Sequence, residues 1–100
     1  MDFTSYMPET TVKVAIGVAS AQSAAIGNGG HKITVRLFAT AGACIEVADN
    51  PTANEDGFEL AAGSPEYIDI VAGQKIAAIR GTGMTSDGVL KITPMTKRSY

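Results

Sequence analysis

The chain has 100 residues and a mass of 10.3 kDa, and 8 basic against 10 acidic residues give it a net charge of −2. This length fits one small domain, because folded domains cluster at about 100–150 residues, and it excludes a multidomain enzyme. The charge balance provides no overall attraction to nucleic acid or to an anionic membrane, so we expect neither as a partner.

The composition favours strands over helices. Ile, Val and Thr together occupy 26 positions, against three Leu. β-Branched residues are enriched in strands. Alanine is the commonest residue, at fifteen, and it is the best helix former. However, no window keeps apolar residues at helical spacing for the three turns that a stable helix needs, so we expect an all-β chain.

The first half of the chain predicts an arm, a strand, a turn and a second strand. Residues 1–10 form the predicted N-terminal arm, and they lack the basic start and apolar run of a secretory signal, so we expect synthesis in a cytoplasm. Apolar residues at every second position predict a strand over residues 12–18. The Gly-Asn-Gly-Gly run at residues 27–30 predicts a hairpin tip at Asn28. The same alternation then predicts a strand over residues 32–39.

The second half repeats short strands between turns. The turns are expected at the Asn-, Asp-, Pro- and Gly-rich residues 49–57 and at residues 81–88. Seven or eight strands spaced about 8–12 residues apart are typical of a sandwich or barrel. We therefore predict a small antiparallel β-sandwich or jelly-roll-like barrel at residues 11–95, with a C-terminal tail at 96–100. The later strands are predicted at residues 43–47, 58–60, 66–71, 75–80 and 89–93.

Four features of the sequence could belong to a catalytic, metal-binding or phosphate-binding site, and each has a simpler structural explanation. His31 is the only histidine and adjoins a glycine turn, so we expect a surface residue. Cys44 is the only cysteine, which excludes an internal disulfide and suits a small buried apolar residue. The acidic residues at 49–57 lack the order of a calcium loop, and residues 81–86 lack the third glycine of a phosphate loop. We expect no enzyme, no cofactor and no metal site.

The ends of the chain carry large apolar side chains where termini are normally polar. Such side chains favour burial, either against their own sandwich or against a neighbouring copy or a larger assembly, and both alternatives stay open. The predicted assembly contacts are Phe3, Tyr6, Met7, Met95 and Tyr100.

Three segments resemble small virion structural proteins of bacteriophages. They read ATAGACIEVADNPTA at residues 39–53, LAAGSPEYI at 60–68 and GQKIAAI at 73–79, and the resemblance spans about residues 22–95. It implies a structural role as a head decoration or cement protein, or as a small tail or fibre component, built as a β-sandwich and used in several copies. The implied partners are the major capsid protein or other virion proteins and further copies of the chain, with a trimer favoured. The implied location is the capsid surface, after synthesis in the bacterial host.

Two other functions are weighed against decoration. The first is a tail or fibre-associated module that binds a host-surface glycan or another tail protein through residues 49–57 and 81–88. The absence of tryptophan counts against sugar stacking. The second is a small enzyme that depends on His31, and it has the least support.

Overall fold

The computed structural model describes the backbone of residues 4–99 and the side chains of residues 8–95. The described backbone forms nine strands and no helix, arranged in two antiparallel sheets, which confirms the predicted all-β sandwich. The strands are β1 (Thr4–Pro8), β2 (Val12–Ile16), β3 (Ala21–Gln22), β4 (Lys32–Ala39), β5 (Ala43–Ala48), β6 (Phe58–Leu60), β7 (Glu66–Val71), β8 (Lys75–Arg80) and β9 (Gly88–Ser99).

The larger sheet is organised around β9. One side of β9 pairs with β2 along residues 88–92 and with β1 along residues 95–99. Its other side pairs with β4, and β7 lies outside β4 at the edge of the sheet. The smaller sheet has the order β3-β8-β5-β6. Every pairing is antiparallel, so each sheet can bury one face and leave the other exposed.

The core lies between the two sheets and follows the period-two alternation. Alternate residues of β4 point inward, and the side chains of Val35, Leu37 and Ala39 are fully buried. Ile76 of the smaller sheet and Leu90 of the larger one are also fully buried in this core. Complete burial of each Val, Leu or Ile side chain contributes about 1.5–3 kcal/mol, so this layer holds the sheets together.

The predicted hairpin at Asn28 is wrong. Strands β2 and β4 do not pair with each other, because each pairs with β9 on opposite sides. Between them the chain crosses to the smaller sheet, where Ala21 of β3 pairs with Ala78. Positive φ angles at Gly27 (70°) and Gly29 (96°) do turn the chain there. A local glycine pattern predicts that the chain turns, but it does not determine which strands pair afterwards.

At three places the strands differ from the sequence predictions by more than one residue. The predicted strand 12–18 ends at Ile16, since the carbonyl of Gly17 accepts the Arg80 N–H at 2.9 Å and Val18 is 76% exposed. The predicted strand 89–93 extends to Ser99. Residues 4–8 of the predicted arm form β1, which pairs with the extended part of β9. That part of β9 contains residues 96–99, which were predicted as a tail.

Candidate assembly surface

The outer face of the smaller sheet is covered by the chain itself. Cys44 and Ala77 point away from the central core, yet both side chains have 0% exposure. Residues 49–57, which we call the strap, connect β5 to β6, and Pro51 and Ala53 within it are buried. The strap therefore closes a second apolar layer over this sheet.

Hydrogen bonds fix the strap at several points. The Ala53 N–H donates to Ser20 Oγ at 2.8 Å, which ties the strap to the segment before β3. The carbonyl of Glu55 accepts the Thr82 hydroxyl at 3.1 Å and lies 3.5 Å from the Cys44 thiol as a weak acceptor. These bonds join the strap to Ser20, Cys44 and Thr82, and so they hold it in place over the outer face of the smaller sheet.

The cover determines the chemistry of Cys44. Burial raises the pKa of the Cys44 thiol above its ordinary value of 9.0, and the nearby Glu59 carboxylate raises it further. A thiol held neutral and buried is a poor nucleophile. The expectation that Cys44 behaves as a small buried apolar residue is confirmed.

The outer face of the larger sheet, in contrast, has no such cover among the described residues. Its outward side chains, which we call the open face, are exposed or half-buried, and none is fully buried. They lie side by side on β2, β9, β4 and β7 according to the strand register. The open face consists of Lys13, Ala15, Lys32, Thr34, Arg36, Phe38, Tyr67, Asp69, Val71, Val89, Lys91, Thr93 and Met95.

Aromatic and apolar side chains stand out from this face. Tyr67 is 59% exposed and Val71 is 44% exposed, both on the edge strand β7. Beside Tyr67 in the register, Arg36 holds its guanidinium carbon 5.4 Å from the centroid of the Phe38 ring. Aromatic residues and Arg are enriched where proteins contact each other. The open face therefore has the composition of a contact surface.

Charge is segregated between the two faces. Basic side chains predominate on the open face, with four cations against the single acidic residue Asp69 among residues 8–95. Asp69 accepts a hydrogen bond from the Thr34 hydroxyl at 2.7 Å. The strap and the adjacent outer face of the smaller sheet are predominantly acidic, with Lys75 against Glu46, Asp49, Glu55, Asp56 and Glu59. The overall charge of −2 therefore conceals a basic surface.

The predicted contact residues map to one end of the larger sheet where the structure describes them. Met95 is half-buried on the open face and pairs with Pro8 and Thr34. Tyr6 and Met7 lie on β1, opposite residues 97 and 96 of β9, and only their backbone is described. The predicted contact residues Phe3 and Tyr100 lie outside the described residues.

Four residues of the open face were not among the predicted contact residues: Lys13, Arg36, Tyr67 and Lys91. Their positions in the alternation already placed them opposite the core. The period-two alternation, however, does not indicate which of the two outer faces the strap covers.

Clefts also lie on the described surface. One, of about 330 Å³, lies between Gly42, Leu60 and Met84. Another, of about 570 Å³, lies near Val12, Ile33 and His31. His31 is exposed, as expected, and its carbonyl accepts the Ala72 N–H at 2.7 Å. No group of three or more His, Cys, Asp or Glu side chains within the described residues is placed to hold a metal ion.

Comparison with protein-family models, with curated proteins and with solved structures finds no match to this chain. Among the residues that the structure describes, no helix is long and apolar enough to cross a membrane.

Proposed function

We propose that this chain is a bacteriophage virion structural protein, a decoration protein that binds the assembled head shell and stabilises it. The observation that carries the proposal is the difference between the two outer faces. The strap covers one face, and the other presents Tyr67, Val71 and Arg36 to solvent. A face that keeps aromatic and apolar side chains exposed is suited to contact with another surface.

The fold and the resemblance support the same role. A small β-sandwich can occupy many equivalent positions on a shell, and weak contacts repeated across copies of an oligomer sum to strong attachment. The segments at residues 39–53, 60–68 and 73–79 resemble phage virion proteins. On that basis the partners are the major capsid protein and further copies of the chain, with a trimer favoured, and the location is the capsid surface.

Co-sedimentation with undecorated shells tests this function, with two exposed aromatics as a matched pair. Tyr67 on the open face is 59% exposed, and Phe58 on the other sheet is 53% exposed. The wild-type protein is expected to sediment with shells to a saturating ratio. Tyr67→Ser should weaken binding about 5-fold or more, since truncating an aromatic anchor of an interface costs about 1 kcal/mol or more. Phe58→Ser should bind as the wild type does.

Two results would contradict decoration. The first is no co-sedimentation of the wild-type protein at concentrations well above micromolar. The second is glycan-array binding that disappears when residues 49–57 or 81–88 are changed, without any binding to shells, which would favour the tail or fibre alternative. Native mass spectrometry of the purified protein separately tests the expected trimer.

A further inference from the structure

Two lysines of the open face are placed against each other without compensation. Lys13 of β2 and Lys91 of β9 are direct partners in the strand register, and both side chains are exposed. Like charges directly opposite on neighbouring strands destabilise a sheet. Neither lysine has an ion-pair partner among residues 8–95, whereas Arg80 is paired with Asp87. The fold itself gains nothing from this arrangement.

A third cation lies in the adjoining rows of the same face. Phe38 is the β4 partner of Lys91, and Arg36 precedes it by two residues. The Arg36 guanidinium lies over the Phe38 ring. A guanidinium stacked on an aromatic ring keeps its N–H donors available for a carboxylate. Asp69 is engaged by the Thr34 hydroxyl, and the ion pairs of the described residues do not include Arg36.

We infer that the open face binds an acidic protein surface, whose carboxylates meet Lys13, Lys91 and Arg36. The inference rests on the proposed function and specifies the chemistry of the shell site: a carboxylate-rich patch next to an apolar one. The cations supply attraction and orientation. Apolar contact comes from Tyr67, which is the register partner of Arg36, and from Met95 and Val71 farther along the same face.

Charge and geometry favour a foreign protein over the other occupants. The acidic strap of a second copy would complement the open face, but the two lie on opposite sides of the sandwich, so such pairing would build an open stack instead of a closed oligomer. A nucleic acid would use the cations but not the exposed Val71 and the half-buried Met95. A protein surface uses both groups.

The test measures shell co-sedimentation across a salt series for the wild type and for charge reversals. Lys13→Glu and Lys91→Glu should each weaken binding about 10-fold or more, and wild-type binding should weaken as salt rises. Lys75→Glu on the outer face of the smaller sheet is the control and should bind as the wild type does. Melting temperature separates an effect on binding from an effect on folding. Either single reversal turns the Lys–Lys pair into an opposite-charge pair, so the melting temperature should stay the same or rise.

Each outcome separates the inference from the proposed function. Wild-type binding that resists both salt and the two reversals would overturn the inference and leave decoration standing. No wild-type binding would overturn both. Binding to a single-stranded oligonucleotide that is tighter than binding to shells, and that the same reversals abolish, would assign the cations to nucleic acid and overturn the inference.

Discussion

Ser23 offers a sharp test of how the smaller sheet ends. The chain leaves β3 after Gln22, yet Ser23 continues the pairing with β8, since its N–H donates to the Ile76 carbonyl at 2.9 Å. Its hydroxyl accepts the Ile76 N–H at 3.0 Å and donates to the Ala24 carbonyl at 2.7 Å. Ser23 is 5% exposed and Ile76 is 0% exposed, so water has little access to these groups.

Ser23→Ala removes the acceptor and leaves the Ile76 N–H buried without a partner. An unsatisfied buried donor costs about 1–3 kcal/mol. For a domain of this size each kcal/mol lowers the melting temperature by about 4–8 °C. A loss of about 2 kcal/mol in the free energy of unfolding, and of about 8–16 °C in melting temperature, is therefore expected.

Urea unfolding followed by circular dichroism measures this change. Ser86→Ala is the control, because Ser86 is exposed and its hydroxyl makes no hydrogen bond among the described residues. The midpoint should fall for Ser23→Ala at unchanged slope, and it should stay near the wild-type value for Ser86→Ala. A loss below about 0.5 kcal/mol for Ser23→Ala would refute the reasoning, since surface substitutions alone reach that size.

Two further predictions concern the start of β9 and the layer under the strap. Gly88→Ala should lower the free energy of unfolding by about 1–3 kcal/mol, because its Cβ would lie 2.7 Å from both Ala41 Cβ and Thr40 Oγ1. Gly17→Ala, whose Cβ meets only Asp87 Oδ1 at 3.7 Å, should be neutral or stabilising in the same urea assay, and equal losses at the two sites would contradict the packing. The raised pKa of Cys44 predicts that the wild type keeps its full advantage over Cys44→Ala below pH 9.0 and loses it as the pH rises further. Paired unfolding curves between pH 8 and about pH 11 test this, and a difference that stays constant would exclude a buried neutral thiol.

The sequence was sufficient for the class of fold because that class depends on a local pattern. The alternation at residues 32–39 identified Val35 and Leu37 as inward-facing, and both are fully buried. Strand pairing depends on contacts between distant residues, which no local pattern contains. The hairpin at Asn28 was wrong for that reason, and β1 was not recognised as a strand.

The candidate surface was less predictable than the fold. The terminal residues were singled out by their size and position, but the larger exposed face depends on which sheet the strap covers. The strap contains mostly turn-forming residues, and nothing in their order indicated that Ala53 would be buried against the Ser20 segment. The exposure of Tyr67 therefore depends on the packing of the strap against the smaller sheet, which is a contact between distant parts of the chain.

The position of β9 has a consequence for how the molecule is made. This strand is the last of the nine in chain order, yet it is the shared partner of β1, β2 and β4. During synthesis β4 can pair only with β7, whereas β1 and β2 have no other strand partner and stay unpaired until residues 88–99 have been translated. A chain that ends before Gly88 would lack the strand that joins β1, β2 and β4. Such truncated molecules would expose unpaired strand edges and should be prone to aggregate.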